Sequence, residues 1–374
     1  MRPLRIGINA LYLIPGGVGG TEIYLRSLLR ALARVDKSNR YIVFTNRETG
    51  PDLAPVQPNF SLAPQAVCSL NRPARLLWEQ TLLPLAAWRL GIDVLFNPGF
   101  TAPVLCPCPS LTVFHDLQHK RHPEFFRWYD LPFWRAFLCA SAHSSRALIA
   151  DSEATRKDLL HYYRLPQERV RTIPLGVDSV FFDLKRSGLE DYILCVSTLH
   201  PHKNLEGLIR AFAGFHRHRP TYRLVLAGMR GFHAEELENL IRSLDLADWV
   251  HLTGWISRDE LYKWYAHAAA FVYPSEFEGF GMPVLEAMAA GIPTACSAIE
   301  PLAGITGGAA LQFDPNDETA ILDAMERLVG DEATRQRLSV EGPLRAAQFS
   351  WQKAAEATLA AIRSVAKAPS QAAG

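Results

Sequence analysis

The sequence lacks a long hydrophobic run that is free of helix-breaking residues. Its one long uncharged stretch, residues 94–114, contains four prolines. A membrane-spanning helix needs about 20 consecutive apolar residues, and proline in a helix interior removes a hydrogen bond and clashes with the preceding turn. No transmembrane helix is therefore predicted. Nor is a signal peptide, because Gly7, Asn9 and Pro15 interrupt the apolar N-terminal stretch and no small-residue cleavage site follows.

Cysteine is scarce as well. Six cysteines are scattered over 374 residues without a disulfide framework, which favours a protein of the reducing cytoplasm. Cys106 and Cys108 are the only close pair. A structural zinc site needs a second pair, or histidines at the spacing of a zinc finger. Neither follows, so no metal site is predicted.

The chain also lacks an excess of charge of one sign, since its net charge is +1. Proteins that coat nucleic acid need surplus basic residues to displace counterions from phosphates, so no nucleic-acid partner is predicted. The charge is nevertheless unevenly distributed. Residues 1–180 carry 21 basic and 14 acidic side chains, a balance of +7, whereas residues 181–374 carry 18 and 24, a balance of −6. The two halves of the chain therefore differ in charge.

Hydrophobic periodicity predicts two consecutive doubly wound α/β domains. Short β-branched runs alternate with longer amphipathic stretches, which is typical of parallel strands joined by helices. The predicted strands have the sequences RIGINALYL, YIVFTN, IDVLFNPG, SLTVFHD and RALIADS, followed by DYILCVST, RLVLAG, WVHLTG, AFVYPS and IPTACS. Proline, glycine and mixed polar residues interrupt the pattern at residues 172–191. We therefore predict domains at residues 1–178 and 179–349.

A glycine-rich turn, PGGVGGTE, follows the first predicted strand. Gly17, Gly19 and Gly20 let backbone amides approach an anion, and the positive end of the next helix points to the same place. The spacing is not the G-x-G-x-x-G of dinucleotide sites, and no acidic residue ends the second strand. The turn is therefore interpreted as an anion site or as a purely structural turn, and not as a nicotinamide site.

Two further segments follow predicted strands. Lys203 stands where a strand end meets a helix start, so its ammonium can reach a phosphate at the helix N-terminus. His115 follows a strand at the edge where open α/β sheets place ligand-facing residues, and the adjacent Asp116 is expected to orient the loop or the imidazole. The alternatives are a solvated lysine and a structural histidine.

The most specific pattern lies in residues 273–297, which contain the segment EFEGFGMPVLE. Its loop is expected to expose the amides of residues 279–281, and Pro283 is favoured in the first turn of a helix. Glu278 can face a developing cationic sugar carbon, and Glu286, expected in that first turn, can accept hydrogen bonds from ribose hydroxyls. The alternative is that Glu286 only complements the helix dipole while Glu278 is solvated.

Together these segments resemble the retaining glycosyltransferases of family four, GT-B enzymes that transfer a sugar from a nucleotide sugar to an acceptor. The family's two glutamates, separated by seven residues, correspond to Glu278 and Glu286. Its phosphate-binding lysine resembles Lys203, its histidine near the donor sugar resembles His115, and its glycine-rich turn resembles residues 16–20. The resemblance covers nearly the full length of the chain.

The resemblance implies two Rossmann-like domains facing across a cleft, with a last helix within residues 350–374 crossing back to the first domain. It implies retaining, metal-independent and cofactor-independent transfer of a hexose from a GDP- or UDP-linked donor, with mannose from GDP-mannose slightly favoured. The acceptor would be a glycan or a lipid-linked sugar in surface polysaccharide synthesis. Glu278 and His115 are the implied catalytic residues. The implied donor-binding residues are Gly17, Gly19, Gly20, Thr198, Lys203, Gly279, Phe280, Gly281, Met282, Pro283 and Glu286.

The sequence departs from the family pattern at Thr198, where many relatives have an arginine that shares the diphosphate charge. Lys203, the glycine-turn amides and Arg230 would then hold the phosphates. A nucleotide-sugar epimerase of the same fold, or a non-catalytic nucleotide-sugar-binding partner, are the alternatives. Residues 76–90 and 120–137 are aromatic and basic. They predict either packing between the domains or in the core, or contact with an anionic membrane surface by a peripheral cytoplasmic protein.

Overall fold

The computed structural model describes residues 2–16, 19–231 and 233–367. The chain forms two compact units. The N-terminal unit comprises Met1–Gly176 and Ser350–Gly374, and the C-terminal unit comprises Val177–Phe349. The chain thus leaves the N-terminal unit once and returns to it with its last segment.

Each unit contains a parallel β-sheet. The strands are β1 (Arg5–Asn9), β2 (Arg40–Thr45), β3 (Phe60–Pro64), β4 (Val94–Asn97), β5 (Ser110–Phe114), β6 (Ala147–Ala150), β7 (Val170–Thr172), β8 (Glu190–Val196), β9 (Arg223–Ala227), β10 (Val250–Gly254), β11 (Ala268–Tyr273), β12 (Thr294–Ser297) and β13 (Leu311–Phe313). The order is β3-β2-β1-β4-β5-β6-β7 in the N-terminal sheet and β10-β9-β8-β11-β12-β13 in the C-terminal sheet. Strands β4, β5 and β6 are buried along their whole length, as expected when helices cover both faces of a parallel sheet.

Helices connect these strands and follow the last of them. They are α1 (Gly20–Val35), α2 (Arg72–Arg89), α3 (Gln118–Arg121), α4 (Leu131–Ser144), α5 (Glu153–Tyr163), α6 (Leu205–His218), α7 (Ala234–Ser243), α8 (Arg258–His267), α9 (Met282–Ala289), α10 (Leu302–Thr306), α11 (Glu318–Gly330), α12 (Glu332–Ala346) and α13 (Trp351–Lys367). Helix α1 buries Leu25, Leu28, Leu29 and Leu32, which the 3.6-residue period places on one face. Among the described residues, no helix combines the length and the hydrophobicity needed to cross a membrane.

The last helix, α13, packs in the N-terminal unit against α1. Its buried face is rich in alanine, including Ala354, Ala355 and Ala361, and small side chains let two helices approach closely. At its start, a Cβ on Gly176 would overlap the backbone of Trp351. The expected return of the last helix to the first domain is therefore confirmed.

Three strands were not predicted from the sequence: β3, β7 and β13. All three lie at an edge of a sheet and have three to five residues, so they carry too little hydrophobic alternation to be recognised. The first predicted strand is also too long, since β1 ends at Asn9 and the chain then turns. Helices α10, α11 and α12 were missed as well.

Candidate functional site

Lys203 and Glu278 meet at the carboxyl edge of the C-terminal sheet. Lys203 ends a 3₁₀ turn after β8, and Glu278 lies in the loop after β11. These strands are neighbours in the sheet but not in the chain, so the strand order reverses here, and open α/β sheets bind ligands at such a switch point. Lys203 Nζ donates to Glu278 Oε1 at 2.5 Å and to the Tyr273 hydroxyl at 3.2 Å. The side chain predicted to bind the donor phosphates and the side chain predicted to face the donor sugar thus form one ion pair.

Hydrogen bonds hold the two loops of this pair together. The amide of Glu276 donates to the carbonyl of His202 at 2.8 Å. The Ser275 hydroxyl lies 3.2 Å from the same carbonyl and 2.9 Å from that of Phe277. The turn that carries Lys203 is therefore positioned by the loop that carries Glu278.

The segment between Glu278 and α9 has a conformation that requires glycine. Gly281 has φ 109°, and a Cβ there would overlap the side chain of Leu302. Phe280 is 5% exposed and packs edge-to-face on Phe349, with ring centroids 6.1 Å apart. The Phe280 side chain therefore anchors the loop, while the backbone of Gly279 remains partly exposed. Met282 and Pro283 form the first two positions of α9.

Glu286 lies in the second turn of α9, so the predicted first-turn position is wrong. The helix begins at Met282, and one turn takes 3.6 residues. The Tyr265 hydroxyl donates to Glu286 Oε2 at 2.9 Å. Burial raises the pKa of Glu286 to about 7, although Arg258 and Tyr265 act in the opposite direction. This carboxyl group therefore changes protonation near neutral pH.

Thr198 lies in the loop after β8, which is in close contact with the loop after β9. A Cβ on Gly228 would overlap the carbonyl oxygen of Ser197, so only glycine allows this approach. Arg230, which follows β9, pairs with Glu238 at 2.7 Å, and its side chain is 61% exposed. None of the described contacts therefore joins Arg230 to Thr198 or to Lys203.

His115 follows β5 in the N-terminal sheet and is held through both ring nitrogens. Nδ1 lies 2.5 Å from Asp151 Oδ2, and Nε2 lies 2.8 Å from the carbonyl oxygen of Pro98. Burial lowers the pKa of His115, but the charge and hydrogen bond of Asp151 outweigh it and raise the pKa above its ordinary value. Since both nitrogens face acceptors, the imidazolium form satisfies both contacts.

Asp151 was missed in the sequence, where Asp116 was expected to orient the loop or the imidazole. The carboxylate of Asp116 accepts from the amide of Gln118, at the start of α3, which fits the loop role, whereas Asp151 binds the imidazole. Asp151 directly follows β6, the neighbour of β5, and the carboxyl ends of parallel strands meet at one edge of the sheet. An acid directly after the next strand was therefore the signal that pointed to Asp151.

The glycine-rich turn contains an ion-pair network of its own. The amide of Gly16 donates to Glu22 Oε2 at 2.7 Å, and Glu22 pairs with Arg26 at 2.8 Å. Gly19 has φ 56° with open space where a Cβ would lie, and Gly20 begins α1. Gly17 lies outside the described residues. A carboxylate of the chain thus already binds one amide of the turn.

No metal centre is evident in the part of the chain that the structure describes. Groups of three or more metal-ligating side chains are absent from those residues. The sulfur atoms of Cys106 and Cys108 lie 3.7 Å apart, and both cysteines are free. Nothing described here assembles the four ligands of a structural zinc site.

Comparison with known proteins identifies the family. Residues 18–181 match the model of Glycosyltransferase Family 4, and residues 178–345 match that of Glycosyl transferases group 1. O-antigen chain mannosyltransferase B of Escherichia coli is 30% identical over 268 residues, which are 68% of this chain and 70% of that protein. The chain belongs to the group 1 glycosyltransferase family. The family predicted from the motifs of this glycosyltransferase is therefore confirmed.

Other relatives of the glycosyltransferase are also named for mannosyl transfer. The MMP alpha-(1->4)-mannosyltransferase of Mycolicibacterium hassiacum is 29% identical over 262 residues, 67% of this chain and 63% of that protein. The serotype-specific mannosyltransferase WbdA of Escherichia coli is 27% identical over 322 residues, 78% of this chain. The chain spans only 39% of the length of WbdA.

Solved structures establish the fold of the glycosyltransferase. Sucrose-phosphate synthase from Thermosynechococcus elongatus matches with a TM-score of 0.78 and 21% identity, over 97% of this chain and 99% of that one. Anabaena HepE, in complex with UDP and glucose, matches with a TM-score of 0.76 and 17% identity, over 96% and 100%. The predicted GT-B fold of two Rossmann-like units is thereby confirmed.

Proposed function

We propose that this glycosyltransferase transfers mannose from GDP-mannose, with retention of configuration, to a glycan or lipid-linked acceptor in surface polysaccharide synthesis. The Lys203–Glu278 pair at the switch point of the C-terminal sheet is the observation that carries the proposal. It is a nearly buried cation and anion, with side chains 15% and 9% exposed, at the edge where this kind of sheet binds ligands. The mannosyltransferase names of the relatives favour the sugar.

In this proposal Lys203 exchanges partners when the donor binds. Its ammonium leaves Glu278 for the diphosphate, whose charge is larger than that of one carboxylate. Glu278 is then available to hold the donor sugar and to stabilise positive charge at its anomeric carbon. The amides of residues 279–281 and the Thr198 segment would lie along the phosphates.

The group-transfer step needs no metal or cofactor. The bond between the anomeric carbon and the leaving phosphate oxygen breaks, and a bond to the acceptor hydroxyl forms on the same face of the sugar. The acceptor proton passes to the departing diphosphate, which Lys203 stabilises. Glu286 accepts hydrogen bonds from the ribose hydroxyls, and His115, held by Asp151, is assigned to a sugar hydroxyl or to the region near the anomeric carbon.

The proposal also includes contact with an anionic membrane surface. Several apolar side chains in the two aromatic and basic segments are exposed: Leu77 at 66%, Trp88 at 68%, Trp128 at 82% and Phe133 at 55%. Core packing of these four side chains is excluded by their exposure. Aromatic side chains bind at membrane interfaces, and each basic residue near an anionic surface contributes about 1 kcal/mol.

Flotation with liposomes tests this surface. Wild-type protein should float with phosphatidylglycerol vesicles at low salt, and Trp128→Ser combined with Phe133→Ser should weaken the flotation. Trp255→Ser is the matched control, because Trp255 is 68% exposed but belongs to the C-terminal unit. Flotation that is unchanged by high salt and by the double substitution would refute the proposed contact with the membrane.

Ligand binding and product analysis test the transfer reaction. GDP-mannose and GDP should raise the melting temperature more than UDP-glucose and UDP, because a ligand bound to the native state stabilises it by mass action. Slow release of mannose and GDP is expected without acceptor, and NMR should show the α-configuration in the transferred sugar. A C2 epimer of the donor would establish an epimerase instead, and binding without turnover would establish a non-catalytic partner.

A further inference from the structure

A cavity of about 510 Å³ lies within the N-terminal unit. Its wall includes Tyr12 after β1, Phe100 after β4, and Trp134 on α4. Arg72 and Arg75, both in the first part of α2, also line it. The cavity therefore combines an aromatic wall with two guanidinium groups from one end of one helix.

Two buried polar groups of the wall have unused hydrogen-bonding capacity. Ser69 is 5% exposed and Arg75 is 6% exposed. Neither Ser69 Oγ nor Arg75 Nη1 has a hydrogen-bond partner among the residues that the structure describes. An unsatisfied buried donor costs about 1–3 kcal/mol, and more when it is charged. Both groups belong to residues that line the cavity, where a bound ligand can supply the missing partner.

The carboxylate beside Arg75 does not neutralise it through a hydrogen bond. Glu79 Oε2 lies 3.8 Å from Arg75 Nη1 and accepts instead from the Thr101 hydroxyl at 3.0 Å. Burial raises the pKa of Glu79, although Arg75 and Thr101 act in the opposite direction. Arg75 is therefore ion-paired with Glu79 only at 3.8 Å, and its Nη1 has no hydrogen bond among the described residues.

Arg72 adds a second positive charge to the cavity, whereas the carboxylate of Asp116, which also lines it, opposes this charge. The guanidinium of Arg72 lies over the Trp134 ring, 3.6 Å from its centroid, a contact that uses its face and leaves N–H groups at its edge. Arg72 is also the first residue of α2, where the helix dipole is positive. His119 adds no charge at neutral pH, since burial and nearby cations lower its pKa to about 4.

We propose that this cavity binds a phosphate group carried by the acceptor, with Arg75 as the buried anchor, Arg72 as the second cation and Ser69 as a hydroxyl donor. A neutral sugar hydroxyl would satisfy the hydrogen bonds but would supply no negative charge to Arg72 and Arg75. A phosphate dianion accepts bidentate hydrogen bonds from guanidinium groups and suits two of them. The assignment of this phosphate to the acceptor rests on the proposed function, whereas the anion site itself does not.

Isothermal titration calorimetry with the full-length protein tests the site. The probes are mannose 6-phosphate, mannose as the neutral counterpart, inorganic phosphate, and a polyprenyl phosphate in detergent micelles. Mannose 6-phosphate or the polyprenyl phosphate should bind at least tenfold more tightly than its neutral counterpart, mannose or empty micelles. The tighter of the two identifies a soluble or a lipid source, and tighter binding of inorganic phosphate identifies a free-phosphate site and refutes an acceptor role.

Substitutions connect the binding to the named residues. Arg75→Gln should weaken phosphate binding by about 10–100-fold and Ser69→Ala by about 2–10-fold, the ranges for hydrogen bonds to charged and neutral groups. Arg89→Gln is the control, because Arg89 is exposed at the other end of α2 and should leave binding unchanged. If Arg75→Gln does not fold, as judged by circular dichroism, Ser69→Ala decides alone.

The same variants separate this inference from the proposed function. Arg75→Gln and Ser69→Ala should retain the thermal shift with GDP-mannose, because both residues belong to the N-terminal unit and the donor is assigned to the C-terminal one. A protein that binds the phosphate probes but no nucleotide sugar would refute the transferase and keep the anion site. Equal binding of mannose and mannose 6-phosphate would refute the anion site. Phosphate binding that is unchanged in Arg75→Gln and in Ser69→Ala would refute it as well.

Discussion

Both units carry a buried ion pair at the carboxyl edge of a parallel sheet, but the two pairs leave different groups available. In the N-terminal unit, Asp151 and the Pro98 carbonyl engage both nitrogens of His115. In the C-terminal unit, Lys203 binds Glu278 and the Tyr273 hydroxyl, and an ammonium carries three donors. The first pair fixes the His115 side chain. In the second pair, Lys203 can bind a more highly charged anion in place of Glu278.

Sheet topology explains this difference. β8 and β11 flank the point where the strand order of the C-terminal sheet reverses, whereas β5 and β6 follow one another in the chain and in the sheet. A ligand crevice opens at a reversal point. The +7 and −6 balances of the two halves do not predict this, because the proposed donor phosphates lie in the acidic half and depend on one local lysine.

The largest effect is expected from removing the exchangeable cation. Lys203→Ala should lower kcat/KM for donor hydrolysis or transfer by about 10²–10³-fold, the range for losing one preorganised group that stabilises developing charge. Lys263→Ala is the control, since Lys263 is exposed on α8 of the same unit. If both variants behave like the wild type, Lys203 is a structural partner of Glu278 and the two pairs are equivalent.

The two glycine turns should differ in stability when alanine is introduced. Gly281→Ala is expected to destabilise the protein by about 2–4 kcal/mol, because it combines strain at positive φ with a clash. Gly19→Ala should cost only about 1–3 kcal/mol, because its surroundings are open and only the backbone conformation, φ 56° and ψ −125°, opposes it. Urea unfolding monitored by tryptophan fluorescence measures both losses of stability. Equal losses in the two variants would contradict the conclusion that only the turn of the C-terminal unit is tightly packed.

Substitution of Asp151 tests whether the ion pair of the N-terminal unit acts only by positioning His115. Asp151→Asn should lower the pKa of His115, because burial then acts without the opposing carboxylate, and should reduce kcat by about tenfold through loss of orientation. NMR titration of the imidazole measures the pKa. Asp116→Asn should change that pKa less, since Asp116 contributes only a longer-range interaction. An unchanged kcat in Asp151→Asn would show that His115 has no part in turnover.

The smallest expected effect concerns Glu286 and pH. If its carboxylate accepts the ribose hydroxyls, the KM for the donor should fall several-fold as pH rises through about 7, the raised pKa of this residue. The folded state binds this proton more tightly than the unfolded state, so the contribution of Glu286 to stability should decrease between about pH 4.5 and 7. Glu286→Gln should abolish both dependences. A KM profile that is the same in this variant would contradict the ribose assignment.

Much of the fold was predictable because its central elements are strongly patterned. The leucines of α1 repeat at the helical period, and the core strands are continuous apolar runs. The edge strands β3, β7 and β13 were not predictable, since short segments with one neighbour carry little pattern. The position of Glu286 failed for a related reason: where α9 begins depends on the backbone conformation of Gly281, which no residue type fixes by itself.

The sequence by itself indicated the family through the resemblance of its motifs, including the glutamates of the E-G-F-G segment. It determined the two-domain α/β order through local periodicity, which can be read without knowledge of contacts. Only the tertiary structure decided which side chains meet. Lys203 and Glu278 are 75 positions apart in the chain, and His115 and Asp151 are 36 positions apart. Strand pairing brings both pairs together. That Arg75 Nη1 has no hydrogen bond among the described residues likewise follows from packing, because burial and hydrogen bonding are properties of contacts and not of residue types.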